Sequence, residues 1–376
     1  MNASLPTDTE LEARHAAVRA AMAERSLDAL LVYGNLASSH PIRWLTRWPP
    51  GWDSYLVFPV AGRPRLFVPS ENHLPTAELL AGPAVDVTYE GFDACSPIRS
   101  ALTADGGRIG LIGPLPYAIH GCVSEEHGIE LVEADSLYRG LRMVKRPEEI
   151  ERTRQAAAIA DGAVRRLLEK IRPGLRDYQL GAILQGACRD AGGEDGICFL
   201  ASAPTDGGGA VVPAQVLSDR ALQTGDLVMF ELSVGVGGDS SQVLRTVTLG
   251  AATADVRRLH DVADATFEAV LDRLRPGATA KRLLECGGLI DAAGLTVVDD
   301  MVHGYGGGYL PPVLRTPSTQ RRPPPDLVFE PGMMVVIQPN VVDRARSLGV
   351  QTGELVVVTD DGAAPFHDLP RGLLER

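Results

Sequence analysis

The sequence has no long apolar run and little that would target the chain to a membrane. No stretch approaches the eighteen or so apolar residues that a membrane-spanning helix requires. The first ten residues, which read MNASLPTDTE, have neither the basic flank nor the apolar centre of a signal peptide. We therefore expect a cytoplasmic protein without a membrane partner.

Cysteine is scarce and is not arranged in pairs. The chain has 5 cysteines and no CxxC motif. An odd number at such spacings argues against a disulfide framework and against a zinc knuckle. We expect reduced thiols, which fits the predicted cytoplasmic location.

Clustered positive charge is also missing. There are 36 basic and 48 acidic residues, a net charge of -12, and no Lys/Arg cluster is flanked by aromatic residues. This argues against nucleic acid as a partner. Neither a GK[ST] loop nor a GxGxxG motif between a strand and a helix is present, so no cofactor is expected.

The length of 376 residues favours two domains. The first, over residues 1–142, reads as an α/β domain. A helix capped by Asp8 or Thr9 is followed by strands at residues 29–33, 55–58, 65–68 and 109–112. The second domain covers residues 143–376 and begins near the segment KRPEEI. In this segment Pro147 suits the first turn of a long helix, and the sequence Arg-Pro-Gly that finishes at Gly174 ends that helix.

The second domain contains an internal repeat. Asp161 matches Asp264 and Gly174 matches Gly277, in both cases 103 residues further on. In each copy the aspartate lies in a predicted helix and the glycine belongs to an Arg-Pro-Gly sequence that ends it. Further along, the strand that starts after Gly225 has a counterpart after Gly332. Ordered matches of this kind predict a duplicated helix–helix–strand–strand unit and a pseudo-twofold domain.

These features resemble the pita-bread family, which includes methionine aminopeptidase, aminopeptidase P, prolidase and creatinase. The hinge at KRPEEI, the duplicated half and the EPGM turn that starts at Glu330 carry the resemblance. It implies an α/β N-terminal domain plus an α+β pita-bread C-terminal domain with an internal pseudo-twofold duplication. The N-terminal domain narrows the resemblance to creatinase, aminopeptidase P and prolidase.

In the metallopeptidases of this family two Asp, one His and two Glu hold two metal ions. Position by position, these residues fall on Glu231, Gln242, Gly307, Gln338 and Gly353. Amides and glycine cannot neutralise or bridge two hard cations. The resemblance therefore predicts no metal site and a member of the metal-free branch.

Within that branch the proton-transferring histidine of creatinase falls on Ala214. The chain is more similar to the ectoine-hydrolase group, in the pair Phe230-Glu231 and in the Gly-Tyr-rich loop from Gly304 to Pro312. This likeness implies a metal-independent hydrolase that cleaves a C–N bond in a small polar nitrogenous metabolite.

Two residues are candidates for catalysis. Glu231 would be a carboxylate in a partly buried pocket, and burial would raise its pKa towards the range of general acid–base catalysis. Alternatively, Glu231 pairs with Arg245 and has no catalytic role. His303 titrates in a range that suits proton transfer near neutral pH.

Substrate binding is expected from residues around them. Gln242 and Gln338 could hold a polar group, or they could hydrogen-bond to each other. Tyr305 and Tyr309 could orient a substrate. Glu354 is a further candidate, although it neighbours a ligand position and adjacent strand residues face opposite ways. Gly307 and Gly353 would leave room for the ligand.

The resemblance to creatinase also implies a homodimer. In such dimers the N-terminal domain of one subunit covers the active site of the other, which makes Trp52 a candidate substrate-binding residue. Two alternative functions remain at this point: a non-hydrolytic biosynthetic reaction (cyclisation, elimination or isomerisation) on the same scaffold, and a non-catalytic binding module.

Overall fold

A computed structural model of the chain describes residues 5–89, 91, 93–102, 107–125 and 128–376. Four of the ten residues in the N-terminal segment discussed above lie outside this set. The backbone divides into two units, Met1–Arg142 and Met143–Arg376. In the described part of the chain, no helix is both long enough and apolar enough to cross a membrane.

The first unit combines six helices and six strands in its described part. The helices are α1 (Asp8–Glu24), α2 (His40–Thr46), α3 (Leu74–Ala81), α4 (Cys95–Leu102), α5 (Tyr117–Ser124) and α6 (Asp135–Leu141). The strands are β1 (Ala29–Gly34), β2 (Ser54–Pro59), β3 (Arg65–Val68), β4 (Asp86–Tyr89), β5 (Gly107–Ile112) and β6 (Ile129–Glu133). They form one mixed sheet in the order β4-β3-β2-β1-β5-β6.

Helix α1 illustrates how local chemistry and packing act together. Thr7, one residue before the expected cap, accepts a hydrogen bond from the backbone N–H of Glu10. Leu11, Val18 and Met22 are buried on one face of the helix, as their spacing predicted. The four strands that the sequence predicted in this unit are all confirmed.

One expectation for this unit is wrong. Cys95 on α4 and Cys122 on α5 form a disulfide, with their Cα atoms 6.2 Å apart. The residues are 27 positions apart in the sequence, so no short spacing motif marks them, and only the packing of the two helices brings them together. Cys188, Cys198 and Cys286 are free thiols.

The second unit is built from five helices and eleven strands. The helices are α7 (Pro147–Lys170), α8 (Asp177–Asp190), α9 (Ala254–Arg273), α10 (Ala280–Leu284) and α11 (Gly288–Ala292). The first six strands are β7 (Cys198–Pro204), β8 (Asp226–Val236), β9 (Asp239–Thr248), β10 (Val302–Tyr305), β11 (Tyr309–Leu314) and β12 (Met334–Ile337). The others are β13 (Asn340–Val342), β14 (Gly349–Gln351), β15 (Gly353–Val358), β16 (Ala363–Pro365) and β17 (Leu374–Glu375).

The main sheet of this unit reflects the duplication. Its order is β11-β10-β12-β15-β9-β8-β7, with β16 beside β15 and β17 beside β9. One apolar core packs α7 and α8 on β8 and β9, and a second packs α9 and α10 on β10, β12 and β15. The two halves join where Gly353 of β15 pairs with Leu244 of β9. The predicted pseudo-twofold architecture is confirmed.

Candidate functional site

Glu231 and Gln242 lie on adjacent strands of the first half and contact each other. Residues alternate along β8, so Phe230 and Leu232 pack into the core against the helices while Glu231 projects from the opposite face. Glu231 is 6% exposed and Gln242 is fully buried. The Gln242 Nε2 group donates a hydrogen bond to Glu231 Oε1. The side-chain oxygen of Gln242 has no hydrogen-bond partner among the described residues.

The environment of Glu231 favours its protonated form. Burial, and then the charges of Asp299 and Asp300, raises the pKa of Glu231 to about 7. Its hydrogen bond from Gln242 opposes this shift without cancelling it. The alternative pairing with Arg245 does not occur, because Arg245 contacts Glu354.

Two consecutive aspartates complete the acidic cluster. The Asp300 carboxylate accepts hydrogen bonds from Gln338 Nε2 at 2.9 Å and from the Tyr309 hydroxyl at 3.3 Å. Asp299 accepts one from the backbone N–H of Asp300 at 2.8 Å. Burial and the neighbouring Asp300 raise the pKa of Asp299 to about 6. Gln338 and Gln242 thus each contact a carboxylate and do not bond to each other.

Sequence reasoning missed Asp299 and Asp300. Their position could have indicated them, because two adjacent carboxylates lie two residues before the strand that carries His303. What the sequence lacked was the pairing of the two halves, which brings these residues within electrostatic reach of Glu231.

His303 lies in the same cluster but does not titrate near neutral pH. It is fully buried and stacks on Tyr309, with ring centroids 3.8 Å apart. Burial lowers the pKa of His303 to about 4, below the range that suits proton transfer near neutral pH, and its catalytic role stays a prediction. Its Nδ1 lies 3.1 Å from the Gly304 carbonyl oxygen. Because a carbonyl only accepts, Nδ1 carries the hydrogen and Nε2 is left as an acceptor.

Tyr305 links the two halves of the second unit by hydrogen bonds. Its hydroxyl donates to Ser233 Oγ at 3.2 Å and accepts from Ser240 Oγ at 3.3 Å. Ser233 lies on β8, two residues after Glu231 and on the same face of the strand. Tyr305 is 4% exposed, whereas Tyr309 is 50% exposed. Tyr309 is therefore the tyrosine of the cluster that reaches solvent.

Glu354 is not brought into the cluster. It is fully buried in an ion pair with Arg245, and Arg371 donates a second hydrogen bond to it at 3.0 Å. Both carboxylate oxygens are therefore occupied by guanidinium groups. This arrangement is structural, and it follows from the alternation of side chains along β15.

The second exposed aromatic candidate, Trp52, belongs to the first unit. Its side chain is 65% exposed. Its part in substrate binding stays a prediction.

The residues at the five ligand positions do not fit a two-metal centre. Gln242 and Gln338 already direct their N–H groups at carboxylates. A Cβ atom at Gly353 would lie 2.3 Å from the Ile337 carbonyl oxygen, so no ligating side chain can be placed there without a backbone shift. Within the described residues, no group of three His, Cys, Asp or Glu could hold a metal ion. The expected room for a ligand at Gly353 is wrong for the same steric reason, and no reaction step is assigned to a metal ion.

Comparison with known proteins gives consistent matches. A family model described as Metallopeptidase family M24 matches residues 151–360. A Xaa-Pro dipeptidase of Pyrococcus furiosus is 26% identical over 71% of this chain and 75% of its own length. A probable dipeptidase PepE of Mycobacterium bovis is 27% identical over 85% of this chain and 84% of its own.

Solved structures agree on the fold. Dipeptidase PepE from Mycobacterium ulcerans matches with a TM-score of 0.81 and 24% identity, over 98% of this chain and 99% of its own. The prolidase from Pyrococcus horikoshii matches with a TM-score of 0.83 and 21% identity, over 96% and 100%. The predicted pita-bread fold is confirmed.

These matches overturn one expectation. The sequence was interpreted as a metal-independent C–N hydrolase and not as a functional dimetal aminopeptidase. The matching family is one of metallopeptidases, and the similar proteins are named as dipeptidases. The metal-independent class and the exclusion from the dimetal peptidases are therefore wrong. The expectation of a hydrolytic enzyme agrees with the family.

Proposed function

Since this chain belongs to the metallopeptidase family M24, a family of hydrolytic enzymes, we propose that it hydrolyses a C–N bond in a small polar nitrogenous substrate. In this proposal Glu231 transfers the proton. The observation that carries it is the environment of Glu231: buried, free of any cationic partner among the described residues, and with its pKa raised to about 7.

A carboxyl group with this pKa can serve both halves of a hydrolysis. As a carboxylate, Glu231 accepts a proton from the water that attacks the carbon of the C–N bond. As a carboxylic acid, it then gives that proton to the departing nitrogen when the bond breaks. General acid–base catalysis is most effective when the pKa lies near the working pH.

The surrounding acceptors favour a substrate with N–H groups. Gln242 Oε1, Gln338 Oε1 and Asp300 Oδ2 are buried and have no hydrogen-bond partner among the described residues. Buried acceptors gain most from a ligand that supplies donors. Nitrogen-bearing groups such as amides, amines and amidines supply them, and the sequence likeness to the ectoine-hydrolase group points to the same substrate class.

The remaining cluster residues would position the substrate. Tyr309, half exposed and stacked on His303, offers a face at the solvent side. His303 remains uncharged at neutral pH and offers an acceptor at Nε2. Its proposed role is accordingly orientation of a donor group.

The experiment compares Glu231→Gln with the wild-type enzyme on a panel of Xaa-Pro and other dipeptides and small amides. Turnover should fall by about 10²–10⁴-fold in the variant because general acid–base catalysis contributes that much. Glu330→Gln, at an exposed position, is the matched control and should retain turnover. Unchanged turnover in a folded Glu231→Gln protein would sink the proposal.

Reaction in heavy-oxygen water separates hydrolysis from the non-hydrolytic alternative. Hydrolysis places one labelled oxygen in the product, whereas cyclisation, elimination or isomerisation places none. Product without label, formed by the wild-type enzyme, would therefore replace the proposal with the alternative.

The proposal includes a cytoplasmic homodimer in which Trp52 contributes to the site of the other subunit. The exposure of its side chain supports this role, because an exposed indole gains from being covered. Sedimentation equilibrium of the full chain is expected to give twice the monomer mass of 40.0 kDa. A monomer at all concentrations would contradict it.

A further inference from the structure

Three arginines line a cavity beside β11 and the loop that follows it. The cavity has a volume of about 330 Å³ and is lined by Val313, Arg315, Gln320, Arg321, Arg322 and Pro323. This volume is at the lower end of the range for small-molecule sites. Arg315 is half-buried, and Arg321 and Arg322 are exposed.

The charges of these arginines are not balanced by ion pairs. Within the part of the chain that the structure describes, none of the three has a carboxylate at ion-pair distance, although Arg315 acts electrostatically on Asp300. The chain as a whole carries a net charge of -12. Three guanidinium groups around one pocket repel one another, and a bound anion would relieve that repulsion.

The loop that carries the arginines is held by hydrogen bonds within it and to α11. Gln320 Oε1 accepts from the backbone N–H of Arg315 at 2.7 Å. Ser318 donates to Asp291 through its hydroxyl at 2.5 Å and its backbone N–H at 3.0 Å. Thr316, which is fully buried, contacts Thr319 at 3.0 Å between hydroxyl oxygens. A site that is ordered before binding loses less entropy when a ligand arrives.

We propose that this arginine pocket binds a small organic anion with at least two negative charges and a short apolar body. Guanidinium groups match phosphate and carboxylate oxygens in paired, charge-assisted hydrogen bonds. Val313, 46% exposed, and Pro323 supply an apolar wall. The pocket uses none of the residues assigned to hydrolysis, although Arg315 acts electrostatically on Asp300 and Val313 pairs with His303 in the sheet. Its test measures anion binding and not turnover, so its failure can be told apart from failure of the proposed function.

Calorimetric titration tests the pocket with three probes at constant ionic strength: phenyl phosphate, citrate and inorganic phosphate. The wild-type protein should bind phenyl phosphate or citrate more tightly than inorganic phosphate, which has no organic body, and phenol, which has no charge, should not bind. Arg321→Gln/Arg322→Gln should weaken the binding at least about tenfold, because a hydrogen bond to a charged group contributes about 1.5–3 kcal/mol. Comparing the probes separates phosphate from carboxylate recognition.

The matched control is Arg165→Gln/Arg166→Gln, which removes two exposed arginines of α7 and changes the net charge equally. It should bind like the wild-type protein. Arg321→Lys/Arg322→Lys keeps the charge and should still lose affinity severalfold, and it serves if the Gln variant does not fold. The proposal is overturned if no probe binds, if control and pocket variants weaken equally, or if the arginines prove by sedimentation to join two copies of the chain.

Discussion

Glu231 and His303 are two buried ionisable residues of one cluster, and burial shifts their pKa values in opposite directions. Removal from water raises the pKa of Glu231 to about 7 and lowers that of His303 to about 4. At neutral pH the histidine is therefore uncharged and the carboxyl group is divided between its two forms. Of these two residues, only Glu231 can both take up and release a proton in that pH range.

This shift has a consequence for stability. A carboxyl group whose pKa is near 4.5 in the unfolded chain and about 7 in the folded chain binds its proton more tightly when folded. Between these values the folded state holds more protons, so the contribution of Glu231 to stability is fully present below about pH 4.5 and is lost as the pH rises from about 4.5 to about 7. We expect this contribution to reach about 3 kcal/mol.

The contribution of Glu231 to stability can be measured by urea unfolding of the wild-type protein and Glu231→Gln at several pH values between 4.5 and 8. The variant should lack this component and so lose less stability than the wild type across the interval. Asp299, whose pKa is also raised, contributes a fall in both proteins. Parallel curves for the two proteins would show that Glu231 does not titrate as described.

Glu354 gives a second prediction. Replacing it with Ala leaves Arg245, itself fully buried, without its carboxylate. Breaking a buried ion pair from one side typically costs about 3–5 kcal/mol. Chemical denaturation should show a loss of that order, whereas Asp195→Asn, in the exposed pair with Arg189, should leave the midpoint unchanged. Equal midpoints for Glu354→Ala and wild type would contradict the structural role of this residue.

Elements of regular structure were predictable where the chain marks their ends. Helix α7 begins at Pro147 and ends before Ile171 because proline suits a first turn and Arg-Pro-Gly174 cannot continue it. The cluster was only half predictable. Gln242 and Gln338 were found by placing the family's metal-ligand positions on this sequence, but their carboxylate partners depend on contacts between strands that no spacing encodes.

At the level of strands, Gly353 at the start of β15 lies close to the backbone at the end of β12. A Cβ atom there would lie 2.3 Å from the Ile337 carbonyl oxygen and 2.6 Å from the Cα of Gln338, both backbone atoms that cannot rotate away. Gly353→Ala should therefore destabilise the protein by about 1–3 kcal/mol. Gly162→Ala, inside α7 with open space around it, should instead be neutral or stabilise by up to about 1 kcal/mol. Thermal unfolding compares the two, and equal melting temperatures would contradict the steric argument.

For the whole molecule, the duplicated architecture could be predicted from the sequence, because two ordered copies of a motif are unlikely to arise by chance. The functional class could not, because it was inferred from five positions, whereas the family match rests on residues 151–360. The disulfide was also missed. Disulfides are predicted from a sequence by short cysteine spacings and even cysteine counts. Here two of five cysteines come together through the packing of α4 and α5.

The disulfide can be tested on the intact chain. Denatured without reductant, the protein should expose three reactive thiols, from Cys188, Cys198 and Cys286, and five after reduction. Closing a loop of 27 residues is expected to contribute about 3–4 kcal/mol by restricting the unfolded chain. Cys95→Ser/Cys122→Ser should therefore unfold at lower urea concentration and still show three thiols, whereas Cys188→Ser should show two. Five thiols in the unreduced wild-type protein would mean that the two helices pack without the covalent bond.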